Sequence, residues 1–457
     1  MKQQLKEEEK SSYTAPVASV PVALEPEATT VAVRAHDPIP NFRRSAVTLK
    51  SRLRQFLQRG FMRLKGQRLS KKGALVLLSG ALLFGGRWYW ANQAPVIPYP
   101  PRVETAQTGR SAGPFFMAAV DALPVEMTGY PYSQSQSLGG PDVDTREQRV
   151  EAVTKLAPSL KLIREGLPYQ YEGPKTRFWK GQPFRSGMEA PVMNFIAMRT
   201  LGRGLADEAR LKEEAGDFVG ALGASLDAAQ LGTEISHGSD SLVQPMIGEL
   251  VLGIGISEAT RNVAKLTPEQ AQNALARLQK IRARRTTREE MWQGEMRQNR
   301  SLLGQLFQDP SGTLPLMAFS SSSQTAIPSY FAELMRYGKQ GLVDQVMGYQ
   351  NSVLEKFRLP YQQAKRVDLA PAESDLVQLM TPNTRRVERG YAERSVKLAL
   401  LQAALMRQAK SGLKLPADAF SETGLEPLHS DTKTGKVWSV GPNGVDEHGG
   451  GDDISGS

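Results

Sequence analysis

The chain has 457 residues, with 57 Lys and Arg against 47 Asp and Glu, four histidines and no cysteine. The missing cysteine excludes disulfides, thiol nucleophiles and thiolate metal sites, so the fold must hold by core packing alone. The net charge of +10 resembles a nucleic-acid signal until it is located: eleven Lys and Arg and no acid fall in 41–72, and without them the chain is within one charge of neutral. No nucleic-acid partner is expected, because the rest of the chain has no excess cation to offer phosphates.

Residues 1–40 are rich in Pro, Ala, Val, Thr and Glu without a lasting period, and read as a disordered arm. Within 41–72 the basic residues alternate with Leu53, Phe56, Leu57, Phe61, Met62 and Leu64. This is either an amphipathic helix on anionic lipid or a solvated charge run that only sets topology. The following stretch, 73–91, is GALVLLSGALLFGGRWYWA. Its apolar run ends at Gly86. Arg87 can snorkel and Trp88, Tyr89 and Trp90 suit a headgroup region, so 73–91 is expected to be a transmembrane helix. The positive flank would stay inside, placing the N-terminus in the cytoplasm and the C-terminal body outside, at the inner membrane. A signal peptide fits less well, since seventy-two residues precede the run and no clean small-x-small site follows. A buried core helix is the remaining alternative.

Residues 92–144 carry eight prolines from Pro95 to Pro141 and read as a stiff linker, with one short helix over 115–123. The helical domain is expected over 145–412. Val150, Val153, Leu156, Leu160, Ile163 and Leu167 recur every three or four residues. Further helices are expected over 191–215, 218–235, 241–263, 267–284, 286–307, 329–357 and 385–410, with a Ser/Pro-rich loop at 309–329. Thr267-Pro268-Glu269-Gln270 is a helix start, with an N-cap, Pro at the first position and an acid after it. The fold class is therefore mostly α: an N-terminal transmembrane helix, a hairpin or bundle body, and a small β-turn-β or irregular tail over 413–457.

No metalloprotease, nucleophile-elbow or phosphate-loop motif occurs, and no catalytic residue is assigned. His237 stands at a helix end and is expected to cap it. The adjacent pairs Glu213/Glu214 and Glu289/Glu290 diverge on a helix and should lie on solvated faces. Tyr169, Tyr171, Phe178, Trp179 and Phe184 form an aromatic loop, read as folded onto the core in preference to a ligand groove. The one local concentration of ligand-bearing residues is the tail. There Asp446, Glu447, His448, Asp452 and Asp453 lie among the glycines at 441, 444, 449, 450, 451 and 456. Hard cations such as Ca2+ take six to eight oxygens, which Gly-rich loops can gather from carboxylates and carbonyls.

The helix–Gly216-Asp217–helix hairpin over 191–236 resembles a tetratricopeptide unit, although no 34-residue period recurs. The tail, about 414–454, resembles the C-terminal calcium-loop region of type II secretion major pseudopilins. Pro416, Asp418, Phe420, Gly424 and Pro427 match the first part, Ser439-Val440-Gly441-Pro442-Asn443-Gly444 the turn and Asp453-Ile454 the end. That resemblance implies calcium binding, with Asn443 and Asp453 as side-chain ligands and Val440 giving its carbonyl. Asn443 stands where the family has an acid, for which Asp446 and Glu447 would compensate, and Asp452 completes the candidate set. No prepilin cleavage motif precedes the apolar run. The chain also resembles a loosely defined group of bacterial anchored helical proteins that end in this tail, a resemblance that brings no activity with it. The expected function is a membrane-anchored, extracytoplasmic scaffold with envelope or secretion proteins as partners. The alternatives are a pseudopilin-like component of a type II secretion assembly and a hydrolase with dispersed catalytic carboxylates.

Overall fold

The computed structural model describes residues 71–98, 111–124, 127, 145–171, 195–238, 241–308, 323–370, 373–380 and 384–456. The chain divides into units of residues 1–73 and 74–457, and apart from 71–73 the described residues belong to the second. The arm expected over 1–40, the basic segment up to residue 70, and Phe178, Trp179 and Phe184 lie outside the described residues.

The described residues are mostly helical. In chain order the helices are α1 (Lys71–Ala91), α2 (Gly113–Asp121), α3 (Arg146–Gly166), α4 (Phe195–Glu214), α5 (Phe218–Ile235) and α6 (Val243–Asn262). They continue with α7 (Pro268–Ala283), α8 (Arg288–Gln308), α9 (Ser323–Arg358), α10 (Tyr361–Arg366), α11 (Asp375–Leu379) and α12 (Thr384–Gln408). Three short strands follow, β1 (His429–Ser430), β2 (Val437–Ser439) and β3 (Ile454–Ser455), paired antiparallel in the order β1-β2-β3.

Helix starts follow the local chemistry. Thr145 and Gln148 form a reciprocal capping box on α3, as do Thr267 and Gln270 on α7 with Pro268 beside them. The Asp217 carboxylate accepts from Gly220 N at 2.8 Å and opens α5. Each such cap contributes about 1 kcal/mol by satisfying an orphan N–H. At the other end of the domain, Lys410 takes a left-handed φ of 51° and Ser411 N donates to Met406 O at 2.9 Å, which closes α12.

Apolar faces set the packing. Phe116, Leu160, Ile163, Met198, Leu201, Leu205 and Leu231 join α2 to α5 in one core cluster. Leu226, Leu252, Ile256, Leu275, Leu278, Leu401 and Leu405 join α5, α6, α7 and α12 in a second. The α4–α5 hairpin turns at Gly216-Asp217, and α6 then returns along α5 at very short range. A Cβ on Gly232 would lie 2.3 Å from Leu252 N, and one on Gly255 2.4 Å from Ala229 N, so only glycine permits this approach. In the run Met246–Ile256, Val251, Leu252 and Ile256 are buried here while Met246 and Leu250 are exposed.

Three details differ from the sequence expectation. First, α9 starts at Ser323, within the segment read as loop, and breaks at Gly338 (φ 70°, ψ 169°). Second, part of the segment read as a free-standing linker belongs to the body. In α2, Phe116 and Ala119 are fully buried, and Val96 N donates to Gln340 Oε1 at 2.8 Å. Third, the end of α1 is built into the body. Ala91 is fully buried beside Leu303 and Leu342, and the Arg87 guanidinium donates to Met335 O at 2.6 Å and to Arg336 O. The break at Gly338 makes room for the Trp90 ring, whose Cζ3 would lie 2.9 Å from a Cβ at that position. No helix among the described residues is long and apolar enough to cross a membrane. In α1 the uncharged run stops at Arg87, and that side chain is engaged by α9.

Candidate functional site

The tail folds against α10 and α12. Val396, Ala399, Leu400 and Ala403 of α12 meet Tyr361, Phe420, Leu428 and Val440 in one buried cluster, with the Tyr361 and Phe420 rings edge to face at 4.9 Å. Its organiser is the fully buried Asp418. One oxygen accepts from Ser439 Oγ at 2.7 Å and Phe420 N at 2.9 Å, and the other accepts from Val440 N at 3.0 Å. This carboxylate ties the start of the tail to β2, a role that sequence matching alone did not assign.

After β2 the chain turns at Gly441 (φ 66°), where any Cβ would fall 2.2 Å from Asp452 O. The two arms of the acidic loop therefore run in contact. Glu447, Asp452 and Asp453 each bring an oxygen within 4.8 Å of the others. Backbone donors hold them there. Asp453 Oδ2 accepts from Glu447 N at 2.9 Å and Gly449 N at 2.7 Å. Asp452 Oδ2 accepts from Asn443 N at 2.9 Å, and Glu447 Oε2 from Asp452 N at 2.8 Å. The second oxygen of Asp453 is buried without a partner. Like charges at this spacing repel by about 1 kcal/mol per pair even in bulk water, which a bound cation would reverse.

The other candidate ligands stand differently. Asn443 directs its oxygen to Val445 N at 2.6 Å and its amide nitrogen to Glu447 Oε1 at 3.1 Å, which places it at the rim of the cluster. Val440 has its side chain in the core and its N–H on Asp418. Asp446 faces away, toward β1 and β2. Its Oδ1 accepts from Trp438 Nε1 at 2.7 Å and His448 N at 2.9 Å, while Oδ2 lies 3.1 Å from His429 Nδ1. The indole N–H, opposed by slight burial and helped by His448 N, holds the Asp446 carboxyl below the usual range.

Three buried acids of the helical body are paired across helix interfaces. Glu258 on α6 meets Arg210 of α4 at 2.8 Å, Glu249 on α6 meets Arg285 at 2.7 Å, and Glu388 on α12 meets Lys356 of α9 at 3.5 Å. Glu213 binds Arg261 and Lys265, whereas Glu214 turns to Arg146 and Arg149, so the adjacent pair diverges onto separate neighbours. Glu234 is fully buried, accepting from Arg284 Nη2 at 2.6 Å and Tyr171 N at 3.0 Å, with its other oxygen unpartnered. Desolvation outweighs these contacts and pushes its carboxyl up to about 7. His237 N donates to Glu234 O at 3.1 Å, but its imidazole is turned away from the end of that helix. Its Nδ1 is 3.3 Å from Thr286 Oγ1, Nε2 is buried without a partner, and burial lowers its pKa. Tyr169 stacks on Phe115 and Tyr171 on Phe116, which leaves both rings against α2. Compared with known proteins, the chain matches no family model, no curated protein and no solved structure.

Proposed function

We propose that this chain is a membrane-anchored helical scaffold of the cell envelope, held to a bilayer by α1 and the basic segment before it, with the helical body outside the cytoplasm as a surface for partner proteins. The observation that carries this reading is the exposure of α1. Leu82, Leu83 and Phe84 are 69%, 75% and 64% exposed, on the same helix whose Ala91 is fully buried. Large apolar side chains left uncovered together mark a surface awaiting an apolar partner. The eleven cations of 41–72 make anionic lipid the fitting one. The uncharged run is short for a hydrocarbon core of ~30 Å. Arg87, fixed to α9, would then set the level at which the body meets the headgroups, beside Trp88, Tyr89 and Trp90. In the tail, Glu447, Asp452 and Asp453 would hold a calcium ion, with backbone carbonyls and water completing its shell.

Membrane extraction and protease access test the anchor. The protein is expected to stay with membranes through alkaline carbonate washing, and protease added to intact spheroplasts is expected to cut beyond residue 93. Release by carbonate, or complete protection, overturns the anchor. Capture of the body with secretion-machine proteins would move its role toward the pseudopilin-like alternative.

A further inference from the structure

We propose that the outward face of α6 is the floor of a docking trough for an amphipathic helix whose apolar stripe is flanked by Asp and Glu. The sequence puts Val243, Met246, Ile247, Leu250 and Ile254 at three- and four-residue intervals, so they share one face of α6. The opposite face carries the core contacts of Leu252, Gly255 and Ile256. Val243, Met246 and Leu250 are 51%, 41% and 38% exposed, and Ile247 and Ile254 are half-buried. The apolar side chains Leu82, Leu83 and Phe84 of α1 stand out further, at 64–75%. The α6 strip is thus recessed, a shape that a helix can enter and a flat bilayer cannot follow.

Neighbouring helices form the walls. On one side α4 lies against α6, where a Cβ at Gly202 would meet Val251 Cγ1 at 2.6 Å and Arg210 pairs with Glu258 at 2.8 Å. On the other side α12 approaches, with Arg394 Nε 3.7 Å from a Cβ at Gly253 and 3.9 Å from Glu249 Oε2. At about 3.6 residues per turn the apolar strip falls between those two contacts, and Arg199 and Arg203 of α4 and Lys397 of α12 flank it. Arg199 and Lys397 engage no carboxylate among the described residues. Glu258, Glu249 and Glu393 are taken up by Arg210, Arg285 and Arg389. The walls are therefore cationic, which calls for acids on the occupant. The strip runs about 16 Å, or three turns, enough for apolar anchors at i, i+3 or i+4, and i+7. This site gives the scaffold reading a partner chemistry; it rests on the interaction surface in that reading, not on the anchor or on calcium.

The test is fluorescence anisotropy of a labelled helical peptide of about eighteen residues, with Leu at those anchor spacings and Glu on both flanks. It is titrated with the full chain in detergent, micelles alone being the blank. The expected Kd is below about 100 µM, weakened at least about tenfold by Leu250→Asp, by salt at about 0.5 M and by replacing every Glu of the peptide with Lys. Lys397→Glu leaves the floor intact and should weaken the Glu peptide while strengthening the Lys peptide, a reversal that a folding defect does not produce. No binding of the Glu peptide at about 200 µM overturns the trough, as does affinity indifferent to Leu250→Asp or equal for the two peptides. A photoreactive amino acid placed at Leu250 in cells separates this proposal from the scaffold reading. Crosslinks to phospholipid, to another segment of this chain or to a second copy overturn the trough. Crosslinks to another protein from Val219, 50% exposed on α5, would then leave the scaffold standing, and none from either position overturns both.

Discussion

Arg285 and Glu249 meet as a two-pronged ion pair, Nε to Oε1 at 2.8 Å and Nη2 to Oε2 at 2.7 Å, with both side chains almost completely buried. The guanidinium also lies 3.8 Å from the Tyr391 ring centre and donates to Ser395 Oγ at 2.6 Å. One side chain from the α7–α8 junction therefore joins α6 to α12. Removing one member leaves the other charged, dry and alone. Glu249→Ala and Arg285→Ala should each destabilise by about 3–5 kcal/mol, measured by urea unfolding. Loss below about 1 kcal/mol in both would show that the pair does not hold the junction.

Glu234 gives the body a pH dependence of known sign. Its carboxyl titrates near 4.5 when unfolded and about 7 when folded, so the native state holds the extra proton between those values. Its contribution is full below about pH 4.5 and is lost as pH rises through 7, by up to about 3 kcal/mol. Glu234→Gln keeps the shape and removes the titration. The difference in unfolding free energy between wild type and Glu234→Gln should shift toward the variant from pH 5 to pH 8; a flat difference contradicts the burial argument.

Gly255 and Gly223 should respond oppositely to the same substitution. A methyl at Gly255 would press on Ala229 N at 2.4 Å and Ser225 O at 2.6 Å, both backbone atoms, and Gly255→Ala should cost at least about 1–3 kcal/mol. Nothing lies within 4 Å of a Cβ at Gly223, where alanine should stabilise by about 0.5–1 kcal/mol. Paired thermal melts settle the comparison.

Calcium should stabilise the tail. With calcium at about ten to thirty times Kd, binding adds about 1.4–2 kcal/mol, a shift visible in Tm. Asp453→Ala should abolish that rise, since the same side chain holds Glu447 N and Gly449 N and presents its free oxygen to the cluster. No shift at millimolar calcium would rule out a calcium role for the loop.

Much of the helical order is written locally. The three-to-four spacing from Val150 to Leu167, the Thr267 cap and the Gly216-Asp217 turn each act over a few residues, so helices α3 to α8 and α12 were legible as a string. The same local chemistry marked the Gly-rich tail as acidic and turning. Its contacts were not legible. Whether Asp446 joins Asp453 or His429 depends on the register that places His429 opposite Trp438, a pairing across a turn that spacing does not specify. Likewise Gly338 breaks α9 where Trp90, some 250 residues earlier, must fit, and Arg285 finds Glu249 only when α6 lies against α12. Sequence alone determined where most of the long helices form and which faces are apolar, because backbone hydrogen bonding and capping are short-range; the start of α9 and the short helices α10 and α11 escaped it. Only the tertiary structure decided which charges are buried together and which ligands converge, because desolvation and ion pairing depend on neighbours that the chain brings in from far away.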